Sequence, residues 1–404
     1  MSSLFGTFNM TIEPNKIQMN LNEILFHLGE DREKYFNAVA PPVIQSSNFA
    51  FKRLEDVRAA LSEEMDRYIY TRGNNPTVDI LRKKMAALAH AEDALIFGSG
   101  SAAVAAAVIS CVNAGDHIIC VDKPYSWTKN LLNNFLSRFN VECTYIDARS
   151  IEDIEAARRT NTRLLLLESP NSFTFELQDL EVCANWAKQH AILTCIDNSC
   201  ATPYYQKPID LGIDISVHAV TKYLNGHSDV MAGAVCASRK LIEKIYAQEY
   251  MAIGAVISPH DASLVIRGLR TFELRMQQAQ RSGMHIAQYL DQHPKIEQVL
   301  YPFLPSFPQH ELAKRQMSGA GSLFSIRLAV DKIEQVEDFF HQLKHFTLAA
   351  SWGGYESLAL PAITFYKIPG RPDADLDWRL VRLYIGLEDP DWLIEDLAQA
   401  LEVI

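Results

Sequence analysis

Seven short apolar runs, separated by helix-length segments, dominate the middle of the chain. They are Ala94–Phe97, His117–Val121, Cys143–Ile146, Leu164–Leu167, Leu193–Ile196, Ile215–Ala219 and Ala234–Ala237. Most of their residues are apolar in continuous rather than alternating order. Strands of that kind are buried on both faces, and the segments between them are long enough for crossovers between parallel strands. The pattern predicts an α/β fold with a mostly parallel sheet covered on both sides by helices.

Beyond this region the periodicity changes. Asp261 to about Asp291 reads as one long helix with Asp261 as its N-cap. Strand patterns follow at Val299–Tyr301, Leu323–Leu328 and Leu380–Ile385, with helical patterns near 331–344 and 390–402. Three parts are therefore expected. Residues 1–60 form an N-terminal arm with little periodic order, including the extended stretch Ala40–Gln45. Residues 61–260 form the large domain, and 261–404 form a linking helix and a smaller C-terminal α+β domain. The length of 404 residues suits two or three domains of roughly 100–200 residues each.

Composition narrows the partners. Hydrophobic residues make up 48% and charged residues 22%, which is ordinary globular usage. A formal charge of −11 argues against nucleic acid, whose binding needs basic patches. No apolar run reaches the roughly 20 residues needed to span a bilayer, and no secretory h-region opens the chain. The 7 cysteines are an odd number without a Cys-x-x-Cys pair, and four sit in or beside apolar runs. A cytoplasmic protein with no structural disulfide and no metal site is expected.

Two features carry chemistry. Gly98-Ser99-Gly100-Ser101 follows the first apolar run and opens an alanine-rich helix. Such a turn offers backbone N–H groups and a positive helix end to a phosphate. With Ala103 it also fits a loose Gly-x-Gly-x-x-Ala dinucleotide fingerprint, and Asp122 stands about where a ribose-binding acid belongs. That alternative lies far into the chain for a dinucleotide fold and leaves two other residues without a role. Asp197 closes the run Leu193–Ile196, and Lys222 lies just beyond the next run. An acid at a strand end and a lysine past the following strand are the pair that pyridoxal phosphate chemistry needs. The amine links to the cofactor aldehyde, and the carboxylate keeps the pyridine nitrogen protonated. Singly, each residue has an ordinary explanation as a turn-capping aspartate or a solvated lysine.

Further motifs occur in order: Tyr70-Thr71-Arg72 with Asn75-Pro76-Thr77, Tyr125, Glu168-Ser169-Pro170, Thr221-Lys222-Tyr223 with Gly226-His227-Ser228-Asp229, Arg267-Gly268-Leu269-Arg270-Thr271, Gly353-Gly354-Tyr355-Glu356-Ser357-Leu358 and Arg382. From about residue 39 onward the chain resembles the cystathionine family of trans-sulfuration enzymes. Those enzymes have the aspartate-aminotransferase-like fold, pyridoxal phosphate fold type I.

The resemblance implies roles. Lys222 would hold the cofactor and act as the mobile base, and Asp197 would pair with the pyridine nitrogen. The backbone at Gly100 and Ser101 and the Thr221 hydroxyl would bind the phosphate. Tyr70 and Arg72 would reach it from a neighbouring subunit, so a homotetramer built from dimers with shared sites is expected. Tyr125 would stack on the ring and move protons. Arg382 would grip the substrate carboxylate with a bidentate fork, a shape suited to a planar anion, and Ser351 and Trp352 would line the substrate side. His227 reads as a loop-organising histidine and Cys200 as a lining residue without a nucleophilic role.

Within the family, Ser351-Trp352-Gly353-Gly354-Tyr355-Glu356-Ser357-Leu358 and Glu168-Ser169-Pro170-Asn171-Ser172 resemble the bacterial cystathionine β-lyase branch. The expected activity is a carbon–sulfur lyase, cystathionine β-lyase first, with γ-acting relatives (γ-lyases and γ-synthases) as the alternative. A catalytically silent cofactor-binding protein is a remote third. Asn75-Pro76-Thr77 is the γ-branch form. Gly73 stands where the β-lyase branch carries a second arginine, and Asn130 stands where it carries an acid. Weak hold on the far end of cystathionine is therefore expected, and Gly73→Arg should selectively improve cystathionine turnover if the backbone there accepts a side chain.

Overall fold

The computed structural model describes residues 19–370 and 375–404. Its larger sheet has seven strands: β1 (Asp93–Phe97), β2 (His117–Val121), β3 (Glu142–Ile146), β4 (Thr162–Glu168), β5 (Leu193–Asp197), β6 (Ile215–His218) and β7 (Gly233–Ala237). The spatial order is β1-β7-β6-β5-β4-β2-β3, with β7 alone antiparallel to its neighbours. The seven apolar runs are these strands, with ends within a residue or two. Residues of β1, β2 and β7 are buried at every position, as a sheet between two helical layers requires.

The helix Pro76–Leu88 starts at Asn75, whose side chain accepts the Thr77 N–H, with proline at the first helical position. The helix Gly100–Cys111 starts at Ser99, which caps Ala102 N. The two helices lie on opposite faces of the sheet: Met85 packs with Cys236 in one core, and Val104 and Ala107 pack with Leu165 and Ile196 in another.

The second sheet has five strands: β8 (Ile296–Leu300), β9 (Leu323–Leu328), β10 (Thr347–Leu348), β11 (Leu358–Pro361) and β12 (Leu380–Tyr384). Their order is β10-β11-β12-β9-β8, antiparallel except between β10 and β11. Helices Ile333–Gln342 and Pro390–Leu401 pack on it through Val336, Phe339, Leu393 and Leu397. Strands β10 and β11 have no counterpart among the sequence expectations. They are short, and Gly353 and Gly354 just before β11 break any periodic pattern.

The single helix expected over Asp261–Asp291 is two helices, Pro259–Leu269 and Phe272–Asp291. Between them Arg270 N and Thr271 N bond back three residues, to Arg267 O and Gly268 O, and the Thr271 hydroxyl also donates to Gly268 O. This side chain-to-backbone bond competes with helix continuation. Ser258, not Asp261, is the N-cap. Its hydroxyl accepts the Asp261 N–H, and Pro259 takes the first helical position.

The segment expected to be an irregular arm contains helices Leu21–Phe26 and Leu54–Ser62, and its residues 1–18 lie outside the described part. The first helix is tied down by the buried Lys84, whose ammonium donates to Ile24 O and Leu25 O and pairs with Glu30 at 3.1 Å.

Candidate active site

The site gathers where parallel strands end, the edge at which open α/β sheets bind ligands. Strands β4 and β5 end side by side on Glu168 and Asp197, which are register partners. Asp197 Oδ1 accepts the Ser199 amide at 3.0 Å and the Ser199 hydroxyl at 2.5 Å, and Oδ2 has no hydrogen-bond partner among the described residues. The chain leaving β6 makes a tight turn that carries Lys222. Lys222 N bonds to Ala219 O and Gly226 N to Lys222 O.

The amine of Lys222 donates to the hydroxyl of Ser351, which arrives from the loop before β11. It also lies 5.3 Å from the Trp352 ring centre. Arg382, in the middle of β12, donates to Ser351 O at 3.3 Å and Ser172 O at 3.1 Å. Ser351 therefore touches both cations, and it does so with φ at +84°. That conformation is strained for a residue with a side chain, and such strain collects at functional sites.

Electrostatics follow from this arrangement. Burial, reinforced by the charge of Arg382 and opposed by Asp197, lowers Lys222 to about 8. An amine at that level is partly neutral near physiological pH, as a nucleophile and proton carrier must be. Burial raises Asp197, while the Ser199 bonds and Lys222 oppose the rise. Glu168 is pushed up to about 8, first by burial and then by the Asp197 charge.

Gly100 and Ser101 begin the helix Gly100–Cys111, and their amides are the unpaired donors of a helix start. A Cβ at Gly100 would come within 2.9 Å of the Ala219 Cβ, so the phosphate-type turn packs directly on the strand that leads to Lys222. Tyr125 sits beside it, 44% exposed, with its amide donating to Glu168 at 2.7 Å. Burial raises its phenol, with a hydrogen bond to Ser101 opposing. The Thr221 hydroxyl donates to Ala232 O at 3.1 Å and accepts Ala232 N at 2.9 Å, so its bonding is taken up by backbone.

Tyr70 and Arg72 stand apart. They are exposed and lie against each other at 5.5 Å. No hydrogen bond, ion pair or ring contact among the described residues links them to Lys222, Asp197 or Arg382. His227 bonds Asn225 O at 2.7 Å inside its own loop, the organising position expected of it. Burial pushes the Cys200 thiol far up, so it is inert as a nucleophile.

Sequence reading left Glu168 without a role, although the signal was present: two acids each stand one residue past an apolar run.

A low-lying amine, a carboxylate with one free oxygen, unpaired helix-start amides and a buried guanidinium form one constellation. It fits an aldehyde-bearing aromatic phosphate and an amino-acid carboxylate. The comparisons agree. Residues 22–402 match the family of Cys/Met metabolism PLP-dependent enzymes. The chain is 38% identical to human cystathionine γ-lyase over 382 residues, covering 93% of this chain and 92% of that one. It is 36% identical over 383 residues to L-methionine γ-lyase of Treponema denticola, covering 93% and 95%. The crystal structure of MetB from Corynebacterium glutamicum matches with a TM-score of 0.89 at 32% identity, over 96% of this chain and 99% of that one. This chain thus belongs to the pyridoxal phosphate-dependent enzymes of cysteine and methionine metabolism, with fold type I.

Proposed function

We propose that the protein is a γ-acting carbon–sulfur lyase, releasing a thiol from Cγ of a sulfur amino acid such as cystathionine or methionine. The observation that carries it is the Lys222 amine, brought near neutrality and held by Ser351 between Asp197 and Arg382. The γ position is preferred over the β-lyase expectation because γ-lyases are among the relatives over nearly the whole chain.

The residues divide the work. Gly100 and Ser101 amides would hold the phosphate, with Thr221 stiffening the turn beside it. Asp197 Oδ2 would face the pyridine nitrogen. Bound there, the cofactor supplies an electron sink for the pair left when the substrate Cα–H bond breaks. Arg382 would take the substrate carboxylate in place of its two carbonyl partners. Lys222 would remove the Cα proton and, for loss at Cγ, would first return that proton to the bound cofactor and then, neutral again, remove a Cβ proton. Loss at Cβ needs only the Cα removal. Tyr125, kept protonated, would donate to the departing thiolate. Two exposed residues, Tyr70 and Arg72, fit donation to the phosphate of a second copy, and we infer a homotetramer of site-sharing dimers.

Trp352, 5.3 Å from the Lys222 amine, belongs to the motif of the β-lyase branch and favours β-elimination as a second reading. A product assay on L-cystathionine and L-methionine separates the two. Release of 2-oxobutyrate supports γ-elimination, and release of pyruvate with homocysteine from cystathionine overturns it in favour of the β reading.

A further inference from the structure

We propose that Arg275 is a positioning residue for Lys222, a cationic clasp that fixes the turn from which the lysine side chain projects. Arg275 lies in the first turn of the helix Phe272–Asp291 and is 8% exposed. Its Nη1 donates to Tyr223 O at 2.6 Å. Its Nη2 donates to Gly268 O at 2.8 Å and Leu224 O at 3.4 Å, and its Nε donates to Thr271 Oγ1 at 3.1 Å. Tyr223 and Leu224 directly follow Lys222.

Two features set this arginine apart from a structural one. Among the described residues no carboxylate pairs with it, so a buried positive charge is balanced by three backbone carbonyls, the Thr271 hydroxyl and the Phe272 ring at 6.0 Å. Burying such a charge is costly unless its donors are satisfied, and here satisfying them ties the carbonyls of Tyr223, Leu224 and Gly268 to one planar group. Burial lowers the guanidinium to about 10, which leaves it charged at neutral pH.

The turn is also built around it. Gly226 has φ at +74°, and a Cβ there would lie 1.9 Å from Nη1. The space that a side chain would fill is taken by the guanidinium. Because Arg275 begins the helix that runs to the second sheet, and Ser351 comes from that sheet's loops, the lysine is held at its backbone and at its amine from the same side of the molecule. Misplacing a reacting group by about 1 Å costs on the order of a hundredfold in rate.

The proposal rests on Lys222 being the residue that links to pyridoxal phosphate, so that assignment is tested alongside it. Apo-protein is mixed with pyridoxal phosphate, and the adduct is trapped with borohydride at intervals. Lys222→Ala must lose the adduct; its persistence at the site would remove the lysine assignment and not the clasp. Arg275→Lys keeps the charge but loses the fork. Gly226→Ala keeps the arginine but displaces its guanidinium. Both are expected to link about tenfold or more slowly than wild type and to lower kcat more than they raise KM. Hydrogen exchange at Asn225 and Gly226 in the apo-proteins should rise, with unchanged far-UV circular dichroism. Wild-type linkage rates in either folded variant would overturn the clasp. Should Gly226→Ala fail to fold, Arg275→Lys alone decides.

Discussion

Glu168 and Asp197 face each other across β4 and β5, two carboxyl groups at one level on neighbouring parallel strands. Glu168 is 6% exposed, and Arg382 contributes only the smallest of the influences favouring its charge. Two ionised carboxylates so placed repel, and one of them keeps its proton. Asp197, with the Ser199 bonds and Lys222 opposing its rise, is the one that ionises. Glu168 stays neutral and anchors the Tyr125 amide.

Glu168→Gln therefore imitates the native neutral form. In the wild type the folded-state value of about 8 lies above the usual 4.5. The folded state thus binds more protons than the unfolded one between those values, and stability falls as pH rises from about 4.5 to about 8. Thermal melting of the two proteins should show the variant gaining on the wild type across that window, with a constant gap above it. A gap independent of pH would remove the neutral-Glu168 assignment.

A second pH dependence belongs to Lys222. Its lowering to about 8 means that linkage to pyridoxal phosphate, which needs the free amine, accelerates as pH rises and levels off above about 8. Arg382→Leu removes the positive neighbour that helps lower it. The midpoint should move up by about half to one pH unit, making linkage at pH 7 roughly three- to tenfold slower. Stopped-flow absorbance of the apo-proteins measures this, and an unmoved midpoint would show that Arg382 has no electrostatic hold on the lysine.

Much of this architecture was legible in the sequence because parallel strands buried on both faces leave a continuous apolar trace. Asp197 and Lys222 stand out because each adjoins such a trace. The break at Arg270–Thr271 was not legible. Apolar spacing continues across both helices, and only the bonds back to Arg267 O and Gly268 O show the interruption. Ser351 could be named from its motif, but its left-handed backbone and its contacts with Lys222 and Arg382 are tertiary facts. Arg275 and Gly226 are 49 positions apart, and nothing local to either signals that one occupies the other's side-chain space.

Assembly is tested by complementation. Arg72→Ala should weaken cofactor retention without unfolding the chain, since Arg72 is exposed and makes no ion pair among the described residues. Lys222→Ala should be inactive. Mixed equally, with subunit exchange verified, half the dimers are hybrids, and each has one intact composite site. Activity near one quarter of wild type is then expected, roughly, for a twofold dimer. No recovery on exchange would show that Tyr70 and Arg72 do not serve a neighbour.

Position 73 does not meet the condition set for it. Gly73→Arg was expected to improve cystathionine turnover only if a side chain fits there, but a Cβ would sit 2.6 Å from the Tyr246 hydroxyl, 3.5 Å from Tyr70 O and 3.6 Å from the Met251 sulfur. Tyr246 cannot simply swing away. It is 7% exposed, and its ring is stacked on Tyr250 at 5.8 Å. Its buried hydroxyl has no hydrogen-bond partner among the described residues, so removing that oxygen leaves no donor or acceptor stranded there. Gly73→Arg should therefore cost about 1–3 kcal/mol of stability through overpacking. Tyr246→Phe alone should be nearly neutral, and combined with Gly73→Arg it should recover part of the loss, a non-additivity expected of residues in contact. Denaturant unfolding of the two single variants and the double variant measures the coupling. Strictly additive changes would show that Tyr246 is not the obstacle.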